Sequence, residues 1–469
     1  MATAKSVVDP MAAEVERIGY DRVPLLIIGA FCVYVITWFL QLGGRVALLG
    51  SIRFEFVLGV LLLVLAFTVK RQKIKEKAGL GAYLVWFFIA LVIEIPFSYN
   101  VDYSWTIFVD RVVKFACMSF YIVMFVRNPS ALRFFIAAFM LAWFKMGQEG
   151  LLGQITGSLV WENQGVMRLH GSTPSYQHPN SFSGFGLGIL PFAVYLIPVA
   201  NRWQKIFLLV MIVFSCNIIL FTGSRTGYVG FLMFAGYAIF RSKYRFRVLV
   251  SSIFFAFIIV PFIPEQYIGR FESITGHEAE GQSKLRRLEI WQDALTIFAE
   301  HPFGVGVSAF PTIREQRFGR FQDTHNLYLE VATNLGIQGF IIWTALIVVM
   351  FRAINRISAE LQAQLNALAQ RLKPEATAGP LLTAHLADLR LMRAMLYAVH
   401  AYIFVRLIVG FFGMDLYEIY WWFAMGIIIA VHNMSKVAAR ITAFHLENVE
   451  PAPVEAVPAI AALHKLPAR

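Results

Sequence analysis

Charge is what this sequence is short of. Only 15% of its 469 residues are Asp, Glu, Lys or Arg, against about 25% in an ordinary soluble domain. That deficit excludes a water-soluble globular protein of this length. Cysteine is nearly missing too: Cys32, Cys117 and Cys216 all sit inside apolar runs, which argues against a disulfide framework and against a cysteine metal site. No zinc spacing such as HExxH occurs among the histidines, and no internal repeat is visible. A cleavable leader is not expected, because residues 1–22 are polar and the first apolar run is long enough to span a membrane.

What is present is apolar mass. Hydrophobic residues make up 58% of the chain, with 43 Phe, 17 Tyr and 10 Trp, and the mean hydropathy is +0.63. Aromatic residues in this number suit lipid-facing surface and interfacial belts. The fold class expected is therefore an all-α polytopic membrane protein. Spans need roughly 20 apolar residues each, and that rule places helices near 23–42, 54–69, 80–97, 105–126, 130–147, 181–199, 206–222, 227–240, 248–263, 334–351, 394–412 and 418–434, about 12 in all.

Loop charge orients this scheme. With the N-terminus inside, the inner loops are 70–77, 127–133, 201–205, 241–247, 352–393 and the tail after 434, and every one is basic. The short loops on the other face carry few Lys or Arg, as the positive-inside rule requires. Most of the net charge of +12 is explained in this way, without a nucleic-acid partner. The expected organisation is a bundle of nine helices over 1–263, an outer domain at 264–333, three more helices over 334–434 with a cytoplasmic amphipathic segment at 353–390, and a cytoplasmic tail at 435–469. In the outer domain, 285–300 has the periodicity of an amphipathic helix, which Pro302 and neighbouring glycines end.

Four polar groups on the outer face carry candidate chemistry. The loop 168–186 supplies Arg168, His178 and Asn180, although an ordinary helix-starting loop with Pro179 in its first turn accounts for it as well. The hairpin Gly223–Ser224–Arg225–Thr226–Gly227 puts Arg225 at the membrane boundary on the face disfavoured for cations, where a charge implies function or snorkelling to headgroups. Arg286 and Arg287, followed by Arg314, Arg317 and Arg320, are collectively suited to an anionic ligand, since guanidinium forks bind phosphate oxygens in pairs. Last comes Asp323–Thr324–His325–Asn326. A neutral histidine can take a proton from a hydroxyl and a nearby carboxylate can orient it; a plain helix-cap histidine is the alternative.

The ordered set Pro179–Asn180, GSRTG at 223–227, RLEIW at 287–291, HPFGVGVSAF at 301–310 and HNLYLEVATNLGIQGF at 325–340 resembles the O-antigen ligase and polymerase superfamily of bacterial membrane glycosyltransferases. The resemblance covers roughly 165–345 and the plan of twelve spans. It implies transfer of a glycan from undecaprenyl diphosphate at the periplasmic face of the inner membrane, with both termini cytoplasmic and no metal or other cofactor. For a ligase the acceptor is a sugar hydroxyl of lipid A–core. It further implies that His325 is the catalytic base and that Arg225 and Arg287 contact the diphosphate. Arg168, His178, Asn180, Arg286, Arg314, Arg317, Asp323 and Asn326 stand as further candidate contacts. A repeat-unit polymerase and a protein O-oligosaccharyltransferase share donor, histidine and arginines, and differ in acceptor. A lipid or glycan transporter, which would show inverted halves with broken helices, is the reading from another class.

Overall fold

The computed structural model describes residues 14–448 apart from 16, 164, 260, 262, 273–281 and 372–378. It is mostly helical. Among the described residues, a helix covers each of the twelve stretches read as spans: α1 (Leu25–Leu40), α2 (Phe54–Thr68), α3 (Gly81–Glu94), α4 (Val101–Ile107) running through a π turn (Phe108–Val113) into α5 (Lys114–Phe125), α6 (Pro129–Thr156), α7 (Pro179–Leu196), α8 (Arg202–Phe221), α9 (Arg225–Arg241) and α10 (Arg245–Ile259). After three helices of the polar region, α11 (Glu265–Glu272), α12 (Gln282–Glu300) and α13 (Phe310–Phe318), come α14 (Leu327–Arg371), α15 (Pro380–Val409) and α16 (Ile419–Asn448). Among the described residues six helices, α6, α7, α8, α14, α15 and α16, are long and apolar enough to cross a membrane.

Local sequence sets the helix ends. Asn128 accepts a hydrogen bond from the Ala131 amide at 2.7 Å and Pro129 opens α6, while Gly157 closes it at φ 73°; these are the residues that start and stop helices elsewhere. At α8 the Asn201 and Gln204 side chains each accept from the other's backbone amide, at 2.9 and 3.0 Å, a reciprocal cap. The bundle centre is α7, α15 and α16, whose buried Phe192, Tyr402 and Phe423 rings touch one another. Helices α2 and α8 instead turn Phe56, Val60, Val64 and Phe67, and Ile206, Leu209 and Val213, outward, as a lipid-facing surface requires.

Three features differ from the sequence reading. The first part of the cytoplasmic amphipathic segment expected at 353–390 is the direct continuation of α14, which holds 45 residues and ends at Arg371. Nothing between Phe351 and Ala353 breaks a helix, and Ile357, Leu361, Leu365 and Leu368 are buried against the bundle. Beyond the break at Gly336, residues 337–371 form one uninterrupted helix, about 52 Å long at 1.5 Å per residue and longer than the roughly 30 Å apolar core of a bilayer, so part of it projects. Lys436 of α16 ties the projection down, bridging Glu360 at 3.1 Å and Glu76 at 2.5 Å. Second, α16 runs past the expected end at 434 to Asn448; residues 449–469 of the expected tail lie outside the described residues. Third, a small antiparallel hairpin, β1 (Val160–Asn163) with β2 (Val166–Leu169), interrupts an otherwise helical chain and pairs Trp161 with Arg168.

The loop 301–310 explains why its glycines are spaced as they are. Helix α14 breaks at Gly336 (φ 64°, ψ −170°), and the loop docks into the break. Val305 N–H donates to Thr333 O at 2.9 Å, Gly306 N–H to Asn334 O at 3.1 Å, and Ile337 N–H to Pro302 O at 2.9 Å. The carbonyls and amides freed by the kink are thereby satisfied. A Cβ on Gly336 would lie 2.3 Å from the Phe303 backbone, so glycine is required there by both space and φ.

Candidate active site

His325 stands in the turn just before α14, and the turn is held from both sides. Leu327 N–H donates to Gly410 O at 2.7 Å, tying the helix start to the end of α15. Asn326 is buried and caps α14: its Oδ1 accepts from the Tyr328 and Leu329 amides at 2.9 and 3.1 Å. Thr324 Oγ donates to Asn326 O at 3.0 Å and accepts from its amide at 3.3 Å. Within this frame His325 takes φ 48°, a left-handed conformation costing on the order of 1–3 kcal/mol for a residue with a Cβ. The capped helix start, the Leu327 tie and the Thr324–Asn326 turn hold it there.

Six other segments meet the same end of the bundle. The hairpin 222–225 is latched by Arg168, whose Nε donates to Thr222 O and whose Nη2 donates to Asn180 Oδ1, both at 2.7 Å. Arg270 of α11 reaches Gly223 O at 3.4 Å, and Tyr267 donates to Met167 O at 2.8 Å. His178 caps α7, its Nδ1 accepting from Asn180 N–H at 3.2 Å. Helix α12 brings Arg287, and α13 brings Arg314. The result is a group of cations: Arg225 acts on Arg287, Arg225 and Arg270 act on Arg168, and Arg287, His178 and Arg314 act on His325.

The electrostatics follow from burial first and like charge second. Desolvation pushes the Arg168 guanidinium down to about 10, with Arg270 and Arg225 adding to it. Burial likewise lowers Arg287, with Arg225 beside it. His325 is held below the ordinary imidazole value by desolvation, then by Arg287, His178 and Arg314, and His178 by desolvation and Arg168. Burial raises the Asp323 carboxyl, against the pull of Arg111. A neutral imidazole beside fixed cations is thus the resting state at neutral pH.

The candidate residues sort into distinct roles. His325, Arg225, Arg287 and Arg314 converge. Arg168 is 1% exposed and holds the hairpin through Thr222 O, while the exposed Asn180 accepts from its other end. Asn326 is a helix cap. Arg314, also 1% exposed, donates to Asp293 Oδ2 at 2.9 Å. Arg317 pairs with Glu300 at 2.6 Å, and Arg320 with Glu289. Arg225 and Arg286 each have partners of their own. Arg287 differs: among the described residues it has neither an acceptor nor an ion-pair partner, only the neighbouring charges.

Asp323 makes no hydrogen bond to the His325 ring among the described residues. The imidazole's hydrogen-bond partner among the described residues is Gln322, Nε2 to Nε2 at 3.3 Å, and Gln322 Oε1 in turn accepts from Arg314 Nη1 at 3.5 Å. Asp293 and Gln322 went unnoticed in the sequence. Nothing in the sequence set Asp293 apart from Glu289 and Glu300, the other carboxylates of 285–300, and Gln322 had no signal of its own.

Fold and site together define a multi-pass helical membrane protein with a cation-lined histidine at one end of its bundle. Residues 209–344 match the family model described as O-antigen ligase. That segment holds Arg225, Arg287, Arg314, Gln322 and His325, while Arg168, His178 and Asn180 lie ahead of it. No curated protein matches the chain.

Proposed function

We propose that the protein transfers a glycan from undecaprenyl diphosphate to a sugar hydroxyl of lipid A–core, at the periplasmic face of the bacterial inner membrane, with inversion at the anomeric carbon. The observation that carries this reading is Arg287: a half-buried guanidinium beside a neutral histidine, with no acceptor of its own among the described residues. A desolvated cation in that state is completed by an anionic ligand.

In the reaction, the acceptor oxygen attacks the anomeric carbon, its proton passes to His325, and the bond to the diphosphate breaks with its electron pair leaving on the diphosphate oxygen. The leaving group is stable as an anion, so no general acid is needed. Arg287 and Arg225 stabilise the charge as it develops, the kind of preorganised stabilisation that dominates such steps. The depressed His325 pKa suits the role, because the base stays unprotonated at neutral pH. The family supports a lipid-linked glycan as donor. A polymerase and a protein-directed transferase would use the same residues with a different acceptor.

The test is lipopolysaccharide from cells expressing His325→Ala. Loss of the long ladder, with lipid-linked polymer accumulating and the protein still in the membrane, is expected; a general base typically contributes about 10²–10⁴-fold. Normal ladders would overturn the assignment of His325. A core bearing a single repeat would point to polymerisation, and unchanged lipopolysaccharide with a lost glycoprotein to a protein acceptor.

A further inference from the structure

The buried Asp293–Arg314 pair points, through Gln322, at one nitrogen of His325. Asp293 Oδ2 accepts from Arg314 Nε at 2.9 Å, Arg314 Nη1 donates to Gln322 Oε1 at 3.5 Å, and Gln322 Nε2 lies 3.3 Å from His325 Nε2. Each link has a forced direction. A guanidinium only donates, so the Gln322 oxygen must face Arg314. Its amide nitrogen must therefore face the imidazole, and an amide NH₂ only donates. His325 Nε2 is then the acceptor, and in the neutral ring the hydrogen sits on Nδ1.

We infer that Gln322, oriented by Arg314 and Asp293, is a positioning residue that fixes His325 as the Nδ1–H tautomer and reserves Nε2 as the atom that takes the proton. Its place at the site mouth fits this role. Gln322 is exposed, while Arg314 behind it is 1% exposed, so the amide tip projects from a rigid anchor into the space a substrate hydroxyl must enter. The 3.3 Å contact is long for a hydrogen bond, and an arriving hydroxyl displaces it at small cost, donating to Nε2 in the amide's stead. The charged and titratable groups facing His325 from packed elements are Arg287 on α12, Arg314 on α13 and His178 ahead of α7; all are cations or a histidine, and none offers a carboxylate that would favour the opposite tautomer. Within its own turn Asp323 makes no hydrogen bond to the ring among the described residues.

The catalytic meaning rests on His325 being the base, but the tautomer itself does not. Full-length protein in lipid nanodiscs, labelled with ¹⁵N-histidine and compared with His325→Asn to assign the signal, reads both the tautomer and the titration. Expected is an Nδ1–H ring in the wild type. The titration midpoint should rise in Gln322→Ala, where the donor favouring the neutral ring is gone. It should rise further in Gln322→Glu, whose carboxylate accepts from the imidazolium. An Nε2–H ring in the wild type, or midpoints that do not move in that order, would overturn the inference; the remaining histidine signals report whether each variant is folded. The transfer assay separates the two readings. If His325→Ala abolishes transfer while the wild-type ring is Nε2–H, the role of Gln322 fails and the base survives. If His325→Ala transfers normally with the ring as inferred, the base fails and the clamp survives.

Discussion

Two clusters of charge meet at the turn before α14, and they are finished to different degrees. Toward α15 and α16 lie Asp323, Glu330, Asp415 and Glu418 with Arg111 and Arg406, and here most charges have protein partners. Arg111 bonds Glu418 at 2.6 Å, Leu416 N–H donates to Glu330 at 3.1 Å, and Arg406 donates to Gly184 O at 2.8 Å. Arg406 also lies 3.4 Å from the centroid of the Tyr420 ring, with Asp415 at 3.8 Å. Toward α9, α12 and α13 the balance is positive: Arg314 is matched by Asp293, but Arg287 has no counter-charge among the described residues. Through these bonds the first cluster ties α7, α14 and α15 to the segment ahead of α16. If the second receives an anionic ligand, as proposed, that contrast separates structural arginines from ligand-seeking ones better than exposure does.

The sharpest way to break the contrast is Arg287→Ala. If Arg287 meets a developing anion, transfer should fall about 10²–10³-fold, the usual cost of deleting one such donor, while thermal stability holds or rises because a desolvated cation has been removed. A stability loss with unchanged turnover would place Arg287 among the structural arginines. The pH profile sharpens the same point. Protonation disables the base, and the His325 pKa is depressed by burial and by Arg287. The acid limb of wild-type kcat/KM should therefore lie below pH 6.5, the ordinary imidazole value. In Arg287→Ala one of the repelling cations is lost, so the residual activity should show that limb moved to higher pH. A wild-type limb above 6.5 would contradict the electrostatics.

Arg406→Leu probes the opposite cluster and should act on stability. Asp415 would lose its cation and Tyr420 the guanidinium at its ring, a loss of the kind that costs about 3–5 kcal/mol when one partner of a buried pair is removed. Thermal unfolding followed by size exclusion in detergent would show it, and an unchanged midpoint would mean that this cluster too is only loosely satisfied.

These contrasts were partly legible in the chain. The apolar runs and their loop charges pointed to a membrane bundle, and GSRTG, RLEIW and the 325–340 stretch pointed to the residues that converge. The arginine count was misleading, because a guanidinium's role depends on whether a carboxylate lies across space from it. Asp293 is 21 positions from Arg314 and Glu300 is 17 from Arg317, and such pairings have no sequence periodicity to announce them. Asp323 was chosen as the histidine's partner on proximity in sequence, but the left-handed turn at His325 presents the ring to Gln322 instead. The continuation of α14 beyond 351 was missed because a change in polarity was read as a helix boundary, and polarity changes at a membrane surface while the backbone runs on.

The smallest effect is expected at Arg317 and Arg320, which looked in the sequence like part of one phosphate-binding series with Arg287. Both are about half exposed, and each already has a carboxylate: Glu300 for Arg317, Glu289 for Arg320. Exposed pairs of this kind contribute about 0–1 kcal/mol, and a cation neutralised on the protein surface has little left to offer a diphosphate. Arg317→Ala and Arg320→Ala should therefore leave the lipopolysaccharide ladder and its rate of assembly close to wild type, with the melting temperature nearly unmoved. A loss of transfer at either position comparable to that of Arg287→Ala would show that these ion pairs open to receive substrate, and the separation of structural from ligand-seeking arginines would have to be redrawn at α13.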